Sequence, residues 1–166
     1  TSLDEIAAKL GVTKKVIYHN LGDKQTLVAE CFRRSFAFYE EITARTASYD
    51  GARLAAITAS TYAYAEANLR EDIAPLAPLS GVEGLSPKVL EELNSSANRL
   101  MDAFLTFYEQ GQQEGSIRPL NSRAVLAVTP GTFEWLPKWY DTLTEAERTV
   151  APAELAELNR IGLLAI

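Results

Sequence analysis

The chain has 166 residues, 47% apolar and 23% charged, with a net charge of −6, which suits one medium globular domain or a small domain joined to a larger one. A single cysteine, Cys31, excludes an internal disulfide and fits a reducing, cytoplasmic setting; no apolar run approaches the roughly 20 residues of a membrane helix, and no signal peptide is expected. With His19 as the only histidine and no nucleophile paired with a base, no catalytic residue, metal site or cofactor is expected, and an enzyme is the weakest reading.

In chain order the pattern is helical almost throughout, without strand alternation or hairpin signals. Ser2 can cap a helix over Leu3–Lys9, with Glu5 placed for a capping box, and Gly11 ends it. Thr13 is expected to cap a second short helix from Lys14 to about His19. Gly22 breaks that helix, and Asp23 caps a long third one reaching Ala47. Its apolar positions, Leu27, Val28, Cys31, Phe32, Phe36, Tyr39 and Ile42, recur at helical spacing. After the turn at Tyr49–Gly51 a helix rich in Ala and Tyr spans Ala52 to about Leu69. Residues 72–87 hold three prolines and two glycines and read as a loop with room for one short helix.

Ser86-Pro87 begins a strong helix running to about Gly111. The next is expected from Asn121 to about Tyr140, kinked or broken at Pro130-Gly131. The last is expected to start near Pro152 and carries Leu155, Leu158, Ile161 and Leu164.

Charge is unevenly spread. Residues 1–34 hold Lys9, Lys14, Lys15, Lys24, Arg33 and Arg34 against Asp4, Glu5, Asp23 and Glu30, a balance of +2, so the remainder carries −8. A small basic end on a larger acidic body suits a phosphate-facing head.

That head has the form of a helix-turn-helix, whose second helix enters the DNA major groove. The spacing turns Ile6, Ala7, Leu10, Val16 and Ile17 inward and leaves Thr13, Lys14, Lys15, Tyr18 and His19 outward. Periodicity alone supports a surface helix with two solvated lysines equally well.

The stretch TSLDEIAAKLGVTKKVIYHNLGDKQTLVAECF, Thr1 to Phe32, resembles the DNA-binding region of TetR-family transcriptional regulators. The matching residues are Ile6-Ala7, Gly11-Val12-Thr13, Tyr18, Lys24 and Leu27. Two places depart from the family pattern. Asn20-Leu21 stands where a polar or aromatic residue and then Phe are usual, and Lys14-Lys15 replaces a small-residue pair. The resemblance implies a further helix ahead of Thr1 in the fold. FYEQGQQEGSIRPLNSRAVLAV resembles, more loosely, the family's core and dimer helices. FEWLPKWYD resembles a segment from one branch, some of whose members respond to acyl-CoA thioesters.

The resemblance implies an all-α regulator with an N-terminal helix-turn-helix domain over residues 1–45 and a larger C-terminal ligand-binding and dimerisation domain over 46–166. Its partners would be double-stranded operator DNA, a small-molecule effector and a second copy of the chain, with no membrane. Tyr18, Lys24 and His19 would meet phosphates, and Lys14 and Lys15 base edges or phosphates. The N–H groups opening the third helix would be free for an anion. Tyr62, Phe104, Phe107, Tyr108 and Phe133 are the effector candidates, each otherwise a core aromatic. Trp135, Trp139, Leu155, Leu158 and Leu164 are the dimer candidates, or else further core. A helical ligand-binding module without DNA binding is the alternative.

Overall fold

A computed structural model describes residues 2–69, 84–139 and 142–165, without side chains at 129–135, 137 and 138. Most of the predicted loop of residues 72–87, together with the side chains of Phe133 and Trp135, therefore lies outside the described residues. Seven helices follow in order: α1 Leu3–Leu10, α2 Lys14–Leu21, α3 Lys24–Ala47, α4 Arg53–Leu69, α5 Pro87–Gln113, α6 Ser122–Trp139 and α7 Glu145–Leu163. Among the described residues the only extended pairing is a single antiparallel bridge between Ile117 and Leu164.

Local chemistry sets most of the boundaries. The Ser2 hydroxyl accepts the Glu5 N–H at 3.2 Å, and Glu5 accepts the Ser2 N–H at 2.8 Å, closing a capping box. Asp23 accepts the Thr26 N–H at 2.8 Å, and Ser86 caps α5 with Pro87 behind it.

Two expectations fail in the C-terminal half. The helix over Ser122–Trp139 is continuous through Pro130-Gly131, so the break expected there as the alternative to a kink does not occur. And α7 starts at Glu145, well before Pro152, because Thr144 and Glu147 form a second capping box. Pro152 is buried inside the helix rather than at its start.

In the body, α4 is central and packs against α3, α5, α6 and α7. The main cluster joins Leu54, Ile57, Phe107, Tyr108, Ile117, Leu126 and Leu163. A second holds Ala65, Leu69 and Leu136, with Leu143, Ala151 and Leu155 against them. The chain's end is pinned to the turn after α5, where Arg118 N–H donates to the Leu163 carbonyl at 2.9 Å.

The two halves of α3 are held differently. Its N-terminal half and middle pack through Phe32 and Phe36 against Leu93 of α5 and Leu85 just ahead of it. There Arg33 also donates twice to Glu92, at 2.7 and 3.0 Å; beyond the middle of α3, Arg99 of α5 donates to Glu40 at 2.9 Å. Its C-terminal half is tied to α4 by polar contacts: the Thr46 and Ser60 hydroxyls bond each other, and Arg53 donates to the Thr46 and Tyr49 carbonyls at 2.9 and 3.0 Å. Cys31, expected in the apolar stripe of α3, is exposed.

Candidate nucleic-acid interface and effector cavity

The head is built by two glycines and very little core. Gly11 takes φ 64°, in the left-handed region, and gives its N–H to the Ala7 and Ala8 carbonyls. Thr13 stands at the N-cap of α2 in extended backbone, but its hydroxyl makes no capping bond, contrary to expectation. Its carbonyl instead accepts the Val16 and Ile17 N–H groups at 2.9 and 3.3 Å. Gly22, at φ 75°, then turns the chain into α3.

Leu3, Ala7 and Ile17 are buried where α1 crosses α2, with Ile6 and Leu27 leaning on them. Leu10 and Val16, expected to face inward, are 62% and 44% exposed. The crossing of two eight-residue helices is too short to cover a residue at the last turn of α1 and another at the first turn of α2.

All of Thr13, Lys14, Lys15, Tyr18, His19 and Lys24 are exposed. The structure places Lys15 and His19 one turn apart on α2, with Lys24 opening α3. Lys14 differs: its Nζ donates to Asp4 Oδ2 of α1 at 2.9 Å. That hydrogen bond, with the negative charge of Asp4, raises the lysine pKa above its ordinary value. Among the described residues no acid lies within ion-pair distance of Lys15 or Lys24. Nor are the N–H groups opening α3 all free, since Asp23 occupies that of Thr26 and is held below the usual carboxylate range by it.

Asp4 is the residue sequence reasoning missed. The signal is present: two lysines at the start of a helix that has no acid in its first turn. A helix N-terminus carries partial positive charge and disfavours cations. A nearby carboxylate is therefore called for, though nothing in the sequence locates it.

In the body an aromatic chain crosses three helices. Tyr39 of α3 meets Tyr64 of α4 with ring centres 5.1 Å apart, Tyr64 meets Phe104 of α5 at 5.9 Å, and Phe104 meets Phe107 at 5.5 Å. The Tyr64 hydroxyl lies 3.4 Å from both the Thr43 hydroxyl and the Tyr39 carbonyl. Burial pushes its pKa up to about 12, against the opposing effect of Thr43.

The effector candidates do not form one group. Phe107 and Tyr108 belong to the main core cluster, and half-buried Phe104 packs against it while also taking part in the aromatic chain. Tyr62 lies two residues from Tyr64 and so on another side of α4. It is exposed and lines an open groove of roughly 670 Å³ between α4 and α7, with Thr58, Ser116, Glu157, Arg160 and Leu164. Arg160 in that groove is already paired with Glu157, through two contacts of 2.7 Å.

The dimer candidates divide too. Leu155 packs within its own chain against the cluster around Ala65, Leu69 and Leu136. Trp139, Leu158 and Leu164 are exposed, and so are Val128, Val150 and Ile161, which sequence reasoning does not assign to this surface.

No protein-family model matches the chain, and no curated protein does. Solved structures do match. The ketosteroid transcriptional regulator KstR2 of Mycobacterium tuberculosis superposes with a TM-score of 0.84 at 17% identity, over 100% of this chain and 86% of that one. AibR in complex with isovaleryl coenzyme A and operator DNA gives 0.79 at 20% identity, over 99% and 87%. PfmR, a TetR family transcriptional regulator from Thermus thermophilus, gives 0.75 at 16% identity, over 98% and 86%. At such identities the likeness establishes architecture: this chain has the all-α fold of the TetR-type transcriptional regulators.

Proposed function

We propose that the chain is a DNA-binding transcriptional regulator, a repressor that a small, largely apolar effector releases from its operator. The observation that carries this reading is the head itself. A two-helix unit with an outward face of Thr13, Lys15, Tyr18 and His19 sits at the end of the 24-residue helix α3, which continues into the body. Small, hydroxyl and cationic groups on the second helix suit a groove floor and its phosphates. Two structural neighbours point the same way, one a ketosteroid regulator and one holding isovaleryl coenzyme A and operator DNA. They favour an acyl-CoA or other lipid-related effector.

In this reading residues 1–45 bind DNA and residues 46–166 bind the effector and a second copy of the chain. The exposed apolar side chains of α6 and α7, Val128, Trp139, Val150, Leu158 and Ile161, are the surface for that copy. Each is exposed in the single chain, and a second copy covering them would remove that apolar area from water. Two heads would then lie about 34 Å apart, one turn of DNA. An effector between α3, α4 and α5, near Phe104, would act through α3 by favouring a head spacing that fits DNA poorly. It must bind that state more tightly than the DNA-bound one, or the equilibrium does not move.

The experiment is selection of duplexes from a random-sequence pool by the full chain, followed by binding at several salt concentrations. One palindromic family of sequences is expected to be enriched. Lys24→Ala should weaken binding to every sequence alike and reduce the salt slope by about one unit, as one lost phosphate contact does. If no sequence is enriched, the chain is a helical ligand-binding module and the DNA-binding reading falls.

A further inference from the structure

The head breaks a local rule twice and repairs it once. Lys14 and Lys15 both stand in the first turn of α2, where the aligned peptide dipoles disfavour positive charge and where the helix supplies no acid of its own. Asp4 comes from the first turn of the other helix, where the same dipole effect favours its carboxylate. It accepts from Lys14 at 2.9 Å, while Lys15 has no acid within ion-pair distance among the described residues. The head therefore has one compensated lysine and one uncompensated lysine, side by side in sequence and about 100° apart around the helix.

We propose that Asp4 sets the strength of DNA binding by holding Lys14 against α1 and off the phosphates, so that Lys15, His19 and Lys24 make the cationic contacts. This inference rests on the DNA-binding reading and sharpens it. Phosphate contacts add affinity for any sequence, whereas specificity is the ratio between the right duplex and the rest. A lysine withheld from the backbone lowers affinity for every sequence alike and leaves that ratio as it is.

Asp4 is a positioning residue here, and the pair is exposed, with 43% of the Lys14 side chain open to solvent. Exposed pairs of this kind are weak. The restraint is accordingly one of several-fold in affinity rather than a lock, and it is removable without unfolding the head. The capping box of Ser2 with Glu5 and the buried Leu3, Ala7 and Ile17 do not involve Asp4.

The test compares the full wild-type chain with Asp4→Asn, Asp4→Glu and the double variant Asp4→Asn/Lys14→Met. The probes are the duplex enriched from the random pool and a mixed-sequence duplex of equal length, titrated across salt by fluorescence anisotropy. Asp4→Asn is expected to steepen the mixed-sequence salt slope by about one unit, as one added phosphate contact does. It should tighten binding to both duplexes by about three- to tenfold and leave their ratio nearly unchanged. The double variant should return to the wild-type slope, and Asp4→Glu, which keeps the charge, should stay near wild type. Circular dichroism confirms that each variant keeps its helices.

An unchanged slope in folded Asp4→Asn would overturn the inference alone. A steeper slope that persists in the double variant would also overturn it, by assigning the effect to the carboxylate without Lys14. A wild-type chain that binds neither duplex at low salt would overturn both this inference and the DNA-binding reading.

Discussion

The head and the body of this molecule are stabilised by different means. In the head, three buried residues, two left-handed glycine turns, a capping box and one exposed ion pair hold two eight-residue helices. In the body, α4 is surrounded on several sides, buried hydroxyls join it to α3, and an aromatic chain runs from α3 through α4 into α5. The body can lose one contact and remain folded. The head has little reserve, and its outward residues are arranged by turns rather than by a core. Helices this short are marginal in isolation, so the geometry of the candidate DNA-binding face depends on a few local devices.

The largest expected effect separates the two regions directly. Ile57 is 1% exposed at the centre of the main cluster, and Ile57→Ala should cost about 3 kcal/mol of global stability, or about 9 °C in melting temperature. Ile17→Ala removes a similar volume from the head. It should leave the main transition nearly in place while amide exchange across α1 and α2 accelerates by about 100-fold. If the amides of α4 accelerated by the same factor, head and body would be one cooperative unit and the comparison would fail.

Two glycines sharpen the contrast at a smaller scale. A Cβ on Gly111 would lie 2.5 Å from Ile117 Cδ1, 2.7 Å from its Cγ1 and 3.2 Å from Arg53 Cβ. Ile117 cannot retreat, because it is buried and its N–H bonds the Gly111 carbonyl at 3.0 Å. Gly111→Ala should therefore destabilise by about 2 kcal/mol through overpacking. A Cβ on Gly11 would meet nothing within 4 Å, and the difficulty there is the left-handed backbone, worth about 1 kcal/mol. Asparagine tolerates that backbone and is larger than alanine. Gly11→Asn should thus be milder than Gly11→Ala, whereas Gly111→Asn should be worse than Gly111→Ala; denaturant titration and amide exchange read both.

Sequence reasoning reaches what is encoded locally. The all-α class, the glycine turns and the caps at Ser2, Asp23 and Ser86 are short-range chemistry, and the structure has them. The start of α7 is encoded locally too, in Thr144 and Glu147, but Pro152 reads as a first-turn proline and obscures it. Contacts between distant positions leave no trace: Asp4 with Lys14, Arg33 with Glu92, and Glu114 with the start of α4. Helical spacing puts Tyr62 and Phe104 in one candidate set, and only the packing around α4 separates them. Nor can it say that Leu155 packs inward while Leu158 faces solvent, since both fall on the same stripe of α7.

The smallest expected effect concerns one of those invisible contacts. Glu114, just past α5, accepts the N–H of Arg53 at the first residue of α4 and the Ser116 hydroxyl at 2.6 Å; Ser116 in turn accepts the Leu54 N–H at 3.3 Å. A carboxylate from another helix thereby supplies the cap that α4 lacks in its own sequence. The Ser116 bond first, then the Arg53 N–H, hold the Glu114 carboxyl below its ordinary value of 4.5. A folded pKa below the unfolded one means that the unfolded chain binds the proton more readily. The stabilisation is therefore present in full above the unfolded value and is lost as pH falls through the folded one. Exposure to solvent keeps the contribution small, about 1–2 °C in melting temperature. Asp23, Glu92, Glu147 and Glu157 are lowered as well, so acid weakens the wild-type chain through several groups at once. The difference between wild type and Glu114→Gln isolates one of them. That gap should be constant at neutral pH and close at acid pH, where the carboxyl is protonated in both states. A gap that persisted undiminished in acid would mean that Glu114 acts through shape and hydrogen bonding rather than charge, and that α4 is capped by geometry alone.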